Sequence, residues 1–192
     1  RPSDEIYFDS EIIHLVLGPD APIATPVSSP SQRLLLEILG VANEPRHSDV
    51  VRSATRIADN GHSAEAVNRV RKMIRYIGSR WADTDESDRT VLEDLRTLSW
   101  LPMEGSSLWW TGAELDDHFG KETYETTGDF LDCPGAIQNS CADFLRWLGL
   151  RRTPDTIQVT NHLLNLSDLC RDTPATIYRL LDQRVKSPGS DR

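Results

Sequence analysis

Two stretches of this chain decide its fold, and they read alike. The first is Leu36-Glu37-Ile38-Leu39-Gly40-Val41-Ala42-Asn43-Glu44-Pro45. The second is Leu145-Arg146-Trp147-Leu148-Gly149-Leu150-Arg151-Arg152-Thr153-Pro154. A shift of 109 residues superimposes them without a gap: Leu-Gly falls on Leu-Gly, Pro45 on Pro154, Val50 on Val159 and Asp59 on Asp168. Any one of these matches is cheap, but the set at one shift marks an internal repeat. Each Leu-Gly pair reads as the end of an amphipathic helix. The residue just past a helix end commonly turns left-handed, and glycine does so without a Cβ penalty. The aliphatic that follows, Val41 or Leu150, is placed to close back on the helix.

Outward from these ends, the prolines mark the next helical starts. Thr153 reads as an N-cap with Pro154 as the first helical residue. That helix is predicted to run to about Arg171, with Ile157, Leu163, Leu164 and Leu166 toward its buried side. Thr173-Pro174 opens another, carrying Ile177, Leu180 and Leu181. The first-unit counterparts are predicted over residues 48–60 and 63–79, with Asn60-Gly61 as the stop and Ser63 as the cap. A further helix over 87–98 holds Val91, Leu92 and Leu95 and leads into a short hairpin with strands near 98–101 and 107–110. Upstream the match changes register. Ile6-Tyr7-Phe8-Asp9-Ser10-Glu11-Ile12 is set against Leu108-Trp109-Trp110-Thr111-Gly112-Ala113-Glu114-Leu115, each an apolar, aromatic run followed by Glu and an aliphatic.

The fold class expected is mainly α with small β-hairpins (α+β), as two related helical units packed together. Residues 1–98 form the first unit, incomplete at its N-terminus; 99–185 form the second; 186–192 form a flexible tail. A chain that starts at Arg1, inside a unit lacking its first strand, reads as a piece of a longer array. Units of this kind cannot bury their apolar faces alone and pack on neighbours.

Composition excludes several classes. The 192 residues carry 21 Lys+Arg against 30 Asp+Glu, a formal charge of −9, with 38% hydrophobic and 27% charged residues. That describes a globular chain rather than a disordered one. The densest apolar run, Leu34-Leu35-Leu36-Glu37-Ile38-Leu39, falls far short of the roughly 18 residues a membrane span needs. Three cysteines are too few for a disulfide scaffold, and the net negative charge argues against nucleic acid as a partner. A cytoplasmic location is expected.

The segment Leu101-Pro102-Met103-Glu104-Gly105-Ser106-Ser107-Leu108-Trp109-Trp110, followed by Glu114-Leu115, Leu148-Gly149-Leu150 and Pro154, resembles the helical and hairpin regions of sacsin-like and NO VEIN-like proteins. The resemblance covers most of the chain through short motifs, less fully in the first copy. It implies a large multidomain parent with a GHKL-type ATPase domain elsewhere, and other domains of that parent as partners. It also implies bacterial relatives beside phage-defence genes, or a chaperone-like regulatory role. No ATP-site residue carries over: Asp59-Asn60-Gly61-His62-Ser63 has Ser63 where the ATPase motif has its second glycine, and it reads as a helix C-cap.

Candidate chemistry is sparse. Neither Gly-x-x-x-x-Gly-Lys-Ser/Thr nor Gly-x-Gly-x-x-Gly occurs, and no two histidines stand four apart, so neither a cofactor nor a metal is expected. Cys133 and Cys141 are eight residues apart, too far for the usual zinc spacing, and Cys141 reads as core. The expectation is a non-catalytic scaffold or protein-interaction region. Trp109 and Trp110 would anchor a protein partner, and Arg146, Arg151 and Arg152 make a small basic spot at a helix end. The alternative is a hydrolase or nuclease domain using Glu114, Asp116, Asp117 and His118, the densest cluster of acid and imidazole.

Overall fold

The structure is a computed structural model that describes residues 6–19, 21–24, 26, 27, 29–119, 121–154, 156–169, 171 and 175–186. It is mainly helical with one two-stranded antiparallel hairpin. In chain order the helices are α1 (Glu11–Leu17), α2 (Pro30–Ile38), α3 (His47–Asp59), α4 (Ala64–Gly78) and α5 (Glu86–Leu92). Strands β1 (Leu101–Pro102) and β2 (Trp109–Trp110) follow, and then α6 (Gly135–Ser140), α7 (Ala142–Trp147), α8 (Thr156–Asp168) and α9 (Ala175–Lys186). Ser29, Ser63 and Asp85 accept hydrogen bonds from first-turn amides of α2, α4 and α5, which is why those helices begin there. No helix among the described residues is long and apolar enough to cross a membrane.

The repeated sequence makes the same hydrogen bonds twice. After α2, Gly40 N donates to Glu37 O and Val41 N to Leu36 O, both at 3.0 Å, with Gly40 at φ 91°. After α7, Gly149 N donates to Arg146 O at 3.0 Å and Leu150 N to Leu145 O at 3.1 Å, with Gly149 at φ 101°. This crossed pair satisfies carbonyls that a helix end leaves open, and the left-handed residue makes it feasible. Helices α3 and α8 then begin and end at the same shift.

Where the upstream segments pair, the structure differs from the sequence expectation. Tyr7 forms parallel bridges with both Ile23 and Ala42, and Asp116 does the same with Phe130 and Arg151. Tyr7 N donates to Pro22 O and Phe8 N to Ala42 O; in parallel, Asp116 N donates to Asp129 O and Asp117 N to Arg151 O. The counterpart of Ile6-Tyr7-Phe8 is therefore Leu115-Asp116-Asp117 at the unchanged shift of 109, rather than the Trp109-Trp110 run. What repeats here is a backbone pairing, which places no demand on the side chain at its centre. Trp109 and Trp110 belong to a separate antiparallel pair, opposite Pro102 and Leu101.

Two helix boundaries also move. Helix α8 starts at Thr156, leaving Pro154 buried ahead of it, as Pro45 stands ahead of α3, and it ends at Asp168 rather than near Arg171. The expected 87–98 helix stops at Leu92 and tightens into a 3-10 turn, Glu93–Arg96. The Thr173-Pro174 start and positions 187–192 of the expected tail lie outside the described residues.

The core crosses from one repeat into the other. Val50, Ala54 and Ile57 of α3 and Val70, Met73, Ile74 and Ile77 of α4 pack in one cluster with Trp100, Leu115, Phe144, Leu145 and Leu148. Trp81, in a 3-10 turn after α4, lies 5.2 Å from the Phe144 ring and 4.7 Å from that of Trp147. Val159, Leu166 and Ile177 form a separate, smaller cluster between α8 and α9.

Candidate functional site

Each acidic side chain of the 111–118 segment has its own structural partner. The Glu114 carboxylate accepts from Thr111 N and Thr111 Oγ1, both at 2.8 Å, closing a capping box around the 3-10 turn Gly112–Glu114. Those hydrogen bonds to the ionised form hold its carboxyl below the usual range. Asp117 Oδ1 accepts from Phe119 N at 2.7 Å, and burial pushes its carboxyl up while that amide works the other way. The ring of His118 places Nε2 3.1 Å from Glu104 Oε1.

Asp116 is the buried member, with no exposed surface. Its Oδ1 lies 2.9 Å from Arg151 Nε, and its Oδ2 accepts from Asp129 N at 3.0 Å. Gln158 Nε2 lies 3.5 Å from Oδ2. Burial pushes the carboxyl above its ordinary value, and the Arg151 guanidinium and the Asp129 amide partly reverse that shift. Position 116 is the central bridging residue of the second repeat. Its counterpart Tyr7 uses its hydroxyl in the same place, donating to the Asp49 carboxylate; Asp49 is the counterpart of Gln158. The carboxylate is thus part of the joint between the bridge and α8.

The carboxylates of Glu114, Asp116 and Asp117 are accordingly held by different groups. Among the described residues no group of three or more His, Cys, Asp or Glu side chains is placed to hold a metal ion. Cys133 and Cys141 are buried in the core, where desolvation raises both thiols, Cys133 to about 12. Such a thiol stays protonated and is a poor nucleophile. Asp59-Asn60-Gly61 forms the turn between α3 and α4: Asn60 N donates to Arg56 O at 3.1 Å, and Gly61 takes φ 83°.

The residues expected to meet a partner each have contacts within the chain. Trp109 and Trp110 are both half-buried; Trp109 lies 4.7 Å from the His62 ring, and Trp110 Nε1 donates to Ser106 Oγ at 3.3 Å. Arg146 pairs with Asp143, Arg151 is committed to Asp116, and Arg152 lies 4.4 Å over the Phe119 ring.

A surface absent from that expectation stands on α2. None of its nine residues is buried. Leu34, Leu35, Ile38 and the adjoining Leu39 are all exposed, Ile38 by 74%. The available signal was the density of the run itself: five aliphatics in six positions, 34–39, are more than one helix face can bury.

Comparison with protein-family models, with curated proteins and with solved structures finds no match.

Proposed function

We propose that this chain is a non-catalytic helical scaffold, a protein-interaction region of a larger sacsin-like protein, coupling a GHKL-type ATPase domain elsewhere in that protein to a partner. The observation that carries the non-catalytic reading is the commitment of the Glu114, Asp116 and Asp117 carboxylates to separate structural partners. A hydrolytic site needs an acid and a base converging on one reacting atom. Parentage in a sacsin-like protein is supported by the motif resemblance around Leu101-Pro102, Trp109-Trp110 and Leu148-Gly149, and a role in antiphage defence or chaperone-like regulation follows from it alone.

The purified chain is expected to hydrolyse no ATP and to show no rise in melting temperature with Mg-ATP, since a ligand that binds only the folded state must raise it. A clear rise, or turnover abolished by Asp117→Ala in a folded variant, overturns this reading.

A further inference from the structure

The two repeats build the same backbone ladder to different widths. In the first, the ladder runs from Ala42 through Tyr7 to Ile23 and, among the described residues, goes no further. In the second it runs from Arg151 through Asp116 to Phe130 and continues, because Met103 pairs antiparallel with Leu131 and brings β1 and β2 with it. Ile23 is the counterpart of Phe130: Pro22 O and Ala24 N bond Tyr7 as Asp129 O and Leu131 N bond Asp116.

Two bonds hold the added strand. Glu104 N donates to Phe130 O at 2.9 Å, and Asp132 N donates to Pro102 O at 2.8 Å. Along an extended segment, successive residues turn their backbone groups to opposite edges. Pro22 O and Ala24 N are spent on Tyr7, so the Ile23 carbonyl points away from it, as the Phe130 carbonyl points away from Asp116. Phe130 O has its donor in Glu104 N, whereas among the described residues nothing donates to Ile23 O. Pro22, Ile23 and Ala24 are only half-buried.

We propose that the outer edge of Pro22-Ile23-Ala24 is a docking site for an extended segment of a partner protein, which adds antiparallel to it as β1 and Met103 add to Phe130-Leu131. The inference rests on the reading of the chain as an interaction module and names the kind of partner it takes. An open sheet edge is a template for another strand, in which main-chain bonds supply affinity and alternate side chains supply specificity. The chemistry of the occupant is that of the strand seated on the counterpart edge, Leu101-Pro102-Met103-Glu104. Proline holds itself and the residue before it extended, and Pro102 takes part through its carbonyl, which its missing N–H leaves intact. The donor is the amide two residues further on. The side chain between them, Met103 beside Leu131, is aliphatic, and its equivalent stands beside Ala24. The partner segment therefore reads aliphatic, proline, aliphatic, and then any residue with a free N–H.

Nuclear magnetic resonance of the isotopically labelled chain, with a synthetic peptide of the sequence of residues 99–105 capped at both ends, tests this. A short tether, such as the one that carries the strand in the second repeat, corresponds to an effective concentration in the millimolar range, which free peptide can match. At that concentration the peptide is expected to shift the Ile23 carbonyl resonance and the Ile23 and Ala24 amides, and to leave residues 129–132 unmoved. N-methylation of the peptide's glutamate amide removes the donor and is expected to abolish these shifts. N-methylation of its methionine amide, which faces away from the edge in the register of β1, is expected to leave them. No shift at residues 22–24 overturns the proposal. So do shifts that survive methylation of the glutamate amide, shifts confined to the exposed aliphatics of α2, or shifts confined to residues 129–132, where the peptide would be exchanging with β1. Any of these outcomes without a response to Mg-ATP defeats this contact alone, whereas ATP turnover defeats the scaffold reading.

Discussion

Asp116, without exposed surface, holds its carboxylate 2.9 Å from the Nε of Arg151, and the two residues also share a parallel backbone bridge. The ion pair is thus added to a backbone pairing that the first repeat makes at Tyr7 and Ala42 without it. Truncating the buried carboxylate leaves the Asp129 amide without its acceptor and Arg151 with only its bond to Glu114 O, and an unsatisfied buried group costs about 1–3 kcal/mol. Arg151 is 41% exposed, so water takes over part of its loss. Asp116→Ala is expected to cost about 2 kcal/mol, and Asp116→Asn less, because an amide oxygen still accepts from Asp129 N. Urea denaturation of both variants checks the order; equal losses would show that the acceptor is not what matters.

That pair also shows where reading the residues one by one reaches its limit. The repeat was visible because Leu-Gly, Pro and Val are demanded by local geometry: a left-handed turn, a helix start, a buried helix position. The bridge at Tyr7 and Asp116 was hidden because parallel backbone pairing accepts a phenol at one copy and a carboxylate at the other. The acids at 114–117 looked like surface chemistry because the partner that buries Asp116 lies 35 residues downstream. Neighbours in a strand face opposite sides, yet Trp109 and Trp110 are not split into one buried and one exposed residue. Both are half-buried, Trp109 lying against the ring of His62 and Trp110 tied to Ser106.

The two helix-ending glycines offer a direct comparison of the repeats. Placing an L side chain in the left-handed region costs about 1–2 kcal/mol, so Gly40→Ala and Gly149→Ala are both expected to destabilise by about that much. A Cβ on Gly149 also meets Ala113 N at 3.3 Å, tighter than ordinary packing. Thermal melts of the two variants check this; a variant that melts with the wild type would contradict the need for a left-handed residue at that helix end.

His162 makes stability depend on pH. Its ring is buried, and Nδ1 accepts from Thr126 N at 3.2 Å, so this nitrogen carries no proton in the fold. Desolvation holds the folded-state pKa below the ordinary histidine value. The unfolded chain takes up a proton near pH 6.5, and the folded chain does so only at lower pH. The contribution of this residue is therefore complete above that pH and is lost as pH falls from there toward the folded pKa, at up to about 1.4 kcal/mol per pH unit. In His162→Asn an amide oxygen can take the place of Nδ1 without titrating. Urea midpoints at about pH 7.5 and about pH 5.5 should differ less in the variant than in the wild type. An unchanged difference would assign the acid sensitivity to other groups.

Equivalent positions on α2 and α7 should respond oppositely to the same loss of bulk. Phe144 is fully buried, with its ring against Trp81, and removing such a side chain costs about 3–5 kcal/mol through lost transfer energy and the cavity left behind. Its counterpart Leu35 is 56% exposed, and truncations of exposed side chains fall within about 0.5 kcal/mol. Denaturation at dilute concentration should find Phe144→Ala strongly destabilised and Leu35→Ala close to wild type. A large loss for Leu35→Ala even when dilute would mean that the α2 stripe is packed within the single chain.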